Sequence, residues 1–317
     1  MIISAGGDKN MKCAYCGKEA KGTKEHIISS AILDLFPECY LTFDEKRKII
    51  HQGDPMIKDV CADCNNNRIS YIDSYAKEFI SRYFVKNYGE DDYVEIEYNY
   101  AMIQKVLLKY AFNDLRAHQD DISYFDEELL QYLMNERDSN PKEYVSVLAG
   151  LAVNVSPVPD FMFGNLKLRW CKNPIFYENS TIRHLDYETG QIFLNDENQV
   201  QTFKDLEFSY AFRFNSVQFL LMCWKKGSEN IDNGNVVLKY QYPYTLLSVE
   251  ENTASLSLCT DESNYHHFEQ IHVSWDGLFE VGRMRKLATP DSAKQYLQQL
   301  QAAWKEEEKR LKEEHPR

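Results

Sequence analysis

The chain contains no run of apolar residues long enough to span a bilayer, no internal repeat and no low-complexity block. These absences exclude a membrane-spanning helix and a solenoid as readings of the sequence. Basic residues are in short supply: 36 Lys and Arg stand against 49 Asp and Glu, a formal net charge of -13. That balance is unfavourable for approach to a polyanion, because Lys and Arg neutralising phosphates supply most non-specific affinity. The deficit is uneven. Residues 1–70 hold 10 Lys and Arg and 10 Asp and Glu, so the whole acidic excess lies in residues 71–317. The remaining composition fits a soluble protein: 317 residues, 44% of them hydrophobic, suffice for one small domain and one or two further domains with cores of their own.

Cysteine is where the pattern begins. Cys13-x-x-Cys16 and Cys61-x-x-Cys64 form two pairs, and two such short loops can present four sulfurs to one tetrahedral zinc at about 2.3 Å. Gly17 can take the positive φ of the tight turn after the first pair. The second pair opens a helical pattern. Two disulfides or a thioredoxin-like redox pair are the alternatives. The first is disfavoured because no secretory signal precedes the motif, while Cys39, Cys171, Cys223 and Cys259 are scattered without pairing logic. The second lacks the alternating βαβ pattern that a redox motif needs. Reduced cysteines imply a cytoplasmic protein.

Between the pairs stands Glu25-His26-Ile27-Ile28, and Asn65 follows Cys64 directly. Phosphodiester hydrolysis needs an activated water and a hard divalent cation to offset charge at the scissile phosphate. An imidazole suits the first task, and carboxylate and amide oxygens suit the second. In an extended strand Glu25 and His26 point to opposite faces, so they can serve one site only where the strand ends. The order C-x-x-C, E-H-I-I, C-x-x-C-N resembles the HNH (ββα-metal, His-Me finger) endonucleases, in the four-cysteine branch that includes phage endonuclease VII. The resemblance covers about the first quarter of the chain. It implies that Cys13, Cys16, Cys61 and Cys64 bind structural Zn2+, that Glu25 and Asn65 hold a catalytic Mg2+ or similar ion, and that His26 is the general base. The chain departs from the family pattern in carrying glutamate where aspartate is usual, and Met56 where many members have an asparagine that braces the loop.

The expected fold class is α+β. An HNH module over residues 1–88 leads to a helical connector over 89–144 and a β-rich domain over 145–317 that ends in a helix. Residues 1–11 read as a flexible lead, 28–37 as a short helix ended by Pro37, and the Tyr40–Ile50 stretch as an inserted hairpin. The stripe Ile69, Ile72, Tyr75, Phe79, Ile80 and Tyr83 continues the motif helix to about Phe84 and must pack on something, so the module is expected to dock on the rest of the chain. Helices follow over residues 102–115 and over Asp126–Glu136; Lys105, Lys109 and Arg116 on the first read as a solvated polar face.

Beyond Val145, short segments such as Phe208–Phe214, Val217–Cys223 and Val236–Val249 read as antiparallel strands, with Asp232-Asn233-Gly234-Asn235 as a hairpin turn. Tyr240, Tyr242 and Tyr244 then alternate along a strand, where sheet packing explains them better than base stacking. His266, His267 and His272 have no metal-site spacing. Thr289 and Pro290 start a C-terminal helix carrying Leu297, Leu300, Trp304 and Leu311.

The sequence therefore leads to a metal-dependent endonuclease acting on nucleic acid, DNA in the first instance, with restriction or phage defence as a setting by family association only. Lys18, Lys21, Lys24 and Lys46-Arg47-Lys48 are candidates for a phosphate path. The competing reading is a catalytically inactive zinc module whose acidic C-terminal region binds a protein partner. No membrane partner is expected.

Overall fold

A computed structural model describes residues 10–37, 41–44, 49–52, 55–89, 91–152, 167–172, 182–185, 192–194, 203–241, 244–259 and 302. Strands β1 (Met11–Lys12) and β2 (Glu19–Ala20) flank the first cysteine pair as a minimal antiparallel hairpin. Strand β3 (Gly22–His26) follows, and Ser29 caps the short helix α1 (Ser30–Leu33) by accepting from Ala31 N at 3.2 Å. The expected hairpin is present as β4 (Leu41–Asp44) against β5 (Ile49–Gln52). Strand β6 (Met56–Cys61) returns antiparallel to β3 and delivers Cys61 at its end. A π-helical turn (Cys64–Arg68) then leads into helix α2 (Ser70–Tyr83), which buries Ile72, Ala76, Phe79 and Ile80.

Strand β7 (Val94–Glu97) precedes helix α3 (Tyr100–Ala117), capped by Asn99, and helix α4 (Glu127–Met134), capped by Asp126. Both asparagine and aspartate accept from an amide three residues on, as the first helical turn requires. Next come β8 (Val145–Leu151), β9 (Leu168–Lys172), β10 (Ile182–Leu185), β11 (Ile192–Leu194), β12 (Leu206–Phe214) and β13 (Val217–Trp224). Helix α5 (Ile231–Gln241), β14 (Thr245–Leu246) and β15 (Thr253–Leu256) complete the described chain. Five strands form one antiparallel sheet in the order β14-β8-β13-β12-β9, and β15 pairs with β7. The fold is a mixture of helices and antiparallel sheet, α+β as the sequence implied.

One apolar core runs from Cys13 through α2, α3 and α4 to Leu256, and so joins the three stretches that the sequence suggested as separate units. Helix α3 lies at its centre. Its buried residues surround the whole circumference, including Gln104, Lys105, Lys109, Asn113 and Asp114. The expectation of a solvated polar face is thus corrected: the polar stripe is buried because each group finds a partner there. Lys105 donates to Asn135 O and Asp138 O, both at 2.7 Å, and lies over the Tyr132 ring. The tight β12–β13 turn also reaches back to the motif helix, where Asn215 Nδ2 meets Phe84 O and Val85 O beyond the end of α2.

The second correction concerns residues 231–241, which form α5 rather than a hairpin and a strand. Gly234 N donates to Asn230 O at 3.0 Å, and its missing side chain lets the helix seat on Trp224. A side chain added there would overlap the indole edge. Gly234 therefore serves close approach, and the sequence Asp-Asn-Gly-Asn misled because turn and tight helix packing both favour glycine. Tyr240 falls in the helix, while Tyr244 is buried and accepts from Gln218 Nε2 at 2.6 Å, which removes any role in base stacking. Residues 266, 267 and 272, the segment 46–48 and the anticipated C-terminal helix, apart from residue 302, lie outside the described residues.

Candidate functional site

The four motif cysteines converge. Their Sγ atoms all lie within 4.8 Å of one another, and Cys16 Sγ is 3.8 Å from Cys61 Sγ. A tetrahedron with metal–sulfur bonds of about 2.3 Å has sulfur–sulfur edges of about 3.8 Å, so the donor set fits a structural metal such as zinc. Local sequence produces this shape on both sides. Gly17 adopts φ +69° and donates to Cys13 O at 2.9 Å, closing the turn that turns Cys16 back toward Cys13. On the other side Cys61 N donates to Cys13 Sγ at 3.3 Å, and Cys64 N to Cys61 Sγ at 3.5 Å as the helix begins.

The four thiols are electrostatically unequal. Burial pushes the Cys13 thiol up, but the backbone amides of Cys16, Cys61 and Tyr15 outweigh it and hold the group down at about 7. Cys64 is pushed up by burial, then by the neighbouring sulfurs of Cys16 and Cys61. Crowded thiols resist sharing negative charge, and a divalent cation among them relieves that conflict.

His26 is the last residue of β3, where the strand gives way to the turn before α1. Between Thr23 and Glu25 the β3–β6 register shifts, so that Lys58 and Asp59 together oppose Lys24. This bulge turns Asp59 O onto Ala14 N at 2.9 Å, and the Asp59 carboxylate pairs with Arg116 of α3. The strand's two faces are distinct. Lys24 is exposed, His26 is half-buried, and Met56 lies opposite His26, whereas Glu25 is only 3% exposed and points toward α3.

Asn65, the first residue after the cluster, is tied directly to this strand. Its Nδ2 donates to Thr23 Oγ1 at 3.0 Å and to Lys24 O at 2.9 Å. Both amide protons are consumed, so the atom Asn65 has to offer a ligand is Oδ1.

Glu25 is held by partners that the sequence reading missed. Its Oε1 receives Lys109 Nζ at 3.0 Å and Asn113 Nδ2 at 3.2 Å, leaving Oε2 as the oxygen a cation could use. Lys109 also pairs with Asp73 of α2, at 2.6 Å. Burial pushes its ammonium down, but Asp73 and Glu25 outweigh burial and the net direction is up. A signal for these residues existed: Lys105, Lys109 and Asn113 recur every four residues on a helix whose remaining residues are mostly apolar. Such a stripe meets partners inside a core as readily as it meets water.

The structure thus joins the cysteine cluster, Asn65 and the Glu25-His26 strand end in one construction, and adds α3 as its floor. No described helix is long and apolar enough to cross a membrane. No family model, curated protein or solved structure matches the chain.

Proposed function

We propose that this chain is a zinc-stapled, metal-dependent endonuclease of the HNH type. Zinc at Cys13, Cys16, Cys61 and Cys64 would be structural, since all four positions are thiolates and none is left open for water. His26, at the strand end, accepts the proton of the attacking water. Glu25 Oε2 and Asn65 Oδ1 are the hard oxygens that would hold a Mg2+ or similar ion, and such an ion supplies charge stabilisation at the scissile phosphate. The observation that carries this reading is the pair of bonds from Asn65 to Thr23 and Lys24, which couples the residue after the cluster to the strand bearing Glu25 and His26. Lys24 of β3 and Lys58 of β6, with Lys18 and Lys21 at the two ends of β2, are exposed and favour a polyanionic substrate despite the acidic whole.

A second reading rests on a different observation. The Glu25 carboxylate is buried and paired with an ammonium, as a purely structural carboxylate would be, which favours an inactive module that serves as a scaffold. A plasmid-nicking assay in EDTA, Mg2+, Mn2+ or Ni2+, run beside His26→Ala, separates the two. The nuclease predicts cutting that needs a divalent ion and falls by about 10²–10⁴ in the variant, the usual range for a general base. Cutting by His26→Ala at the wild-type rate would remove the proposed base. Absence of cutting with every ion would leave the scaffold.

A further inference from the structure

We infer that Asn113, on helix α3 and far from the motif in sequence, is a positioning residue for the Glu25-His26 strand end; this rests on the nuclease reading. Asn113 is 0% exposed, and its amide is fully engaged. Nδ2 donates to His26 O at 2.8 Å and to Glu25 Oε1 at 3.2 Å, while Oδ1 accepts from Arg116 Nη2 at 2.6 Å and Tyr15 Oη at 3.1 Å. The amide's orientation follows from chemistry. A guanidinium only donates and a carbonyl only accepts, so a flipped amide would face donor with donor and acceptor with acceptor.

The two halves of that amide join different parts of the proposed site. Tyr15 lies between Cys13 and Cys16, within the first metal-binding turn. Arg116 pairs with Asp59 at the β6 bulge and lies over the Phe112 ring at 4.4 Å. On the other side are the carbonyl of the proposed base and the carboxylate of a proposed metal ligand. Strand β6 supplies no side-chain donor at this point, because the residue opposite His26 is Met56. Asn113 therefore transmits the rigidity of the cysteine cluster and the bulge to the place where β3 ends, through one planar group. A shift of about 1 Å in a reacting group is enough to cost about 10²-fold in rate.

Three variants test this in the full-length, zinc-loaded chain. Asn113→Leu removes all the bonds at similar volume. Tyr15→Phe removes one donor to Oδ1 and keeps the ring, so it remains informative if Asn113→Leu fails to fold. Tyr71→Phe is the control: it deletes the bond from Tyr71 Oη to Leu133 O at 2.9 Å, which docks α2 on α4 and involves neither Asn113 nor the Glu25-His26 strand end. Zinc content, thermal unfolding, kcat and KM for nicking, and hydrogen exchange of the Ile27 amide are measured for each. That amide bonds Pro55 O at 3.0 Å and reports the strand end without substrate.

Asn113→Leu is expected to lower kcat by about 100-fold with KM within about twofold, and to raise Ile27 exchange at least about tenfold. Tyr15→Phe should show the same pattern at a few-fold, and Tyr71→Phe should change neither quantity. Wild-type kcat and Ile27 protection in folded Asn113→Leu, or in Tyr15→Phe where the first is unfolded, would overturn the proposal. So would losses in Tyr71→Phe that match those in the test variants. If wild type does not cut under any ion, the nuclease reading fails by itself, and Ile27 exchange alone decides whether Asn113 positions the strand end.

Discussion

Lys105 and Lys109 sit one turn apart on α3, both are buried, and burial leads to opposite results. Lys109 meets two carboxylates, which outweigh burial and raise its ammonium. Lys105 meets two backbone carbonyls and the Tyr132 ring, so burial dominates and pushes it down to about 8, with Asp138 and Glu136 offsetting only part. An unfolded lysine titrates near about 10.4. Between those values the unfolded chain binds more protons than the folded one, so Lys105 makes stability rise with pH across that window. Lys109 has the reverse sign, and its contribution is complete below the unfolded value and lost only as pH rises through the raised folded value. Urea unfolding from pH 8 to 10 should therefore show stability climbing more steeply in wild type than in Lys105→Met; parallel slopes would exclude Lys105 as the source. None of this was legible in the sequence, where a lysine reads the same whether it faces water, a carbonyl or a carboxylate. The four-cysteine cluster was legible, because its spacing is local and chemistry at that spacing has few uses.

Among the elements, the helices read from apolar periodicity appear close to where the pattern placed them, and the caps that begin them emerge only in the structure. Ser29, Asn99 and Asp126 cap α1, α3 and α4, and the apolar stripe from Ile69 onward becomes α2. Helix α5 went the other way. Its residues combine turn formers with a Val-rich run, so local preference favoured hairpin and strand, and packing against Trp224 decided for helix. Gly234→Ala tests that account. Alanine is favoured over glycine inside a helix by about 1 kcal/mol, whereas overpacking a core costs about 1–3 kcal/mol. A net loss of up to about 2 kcal/mol in urea unfolding is expected from these two effects, and a gain would mean that α5 does not press on the indole.

At the scale of the whole molecule, the cysteine cluster belongs to the same core as the central sheet. Cys64 Sγ lies 3.8 Å from Met134 Sδ of α4, and Tyr15 reaches α3 through Asn113. Loss of the metal should then be felt throughout. Stripping zinc with a strong chelator is expected to leave one calorimetric transition and move it down, by about 10 °C or more if about 5 kcal/mol is lost. Two separated transitions would show that the N-terminal module melts alone. The acidic excess after residue 70 is a property of composition, and so is the neutrality of the first 70 residues. By itself the sequence determined the α+β class and the four-sulfur cluster, since these depend on spacing and periodicity within short stretches. Only the tertiary structure decided that Glu25 faces Lys109 and Asn113, and that a charged helix runs through the centre. Those pairings join residues more than 80 positions apart in sequence, and burial makes each group's behaviour depend on its partner rather than on its own identity.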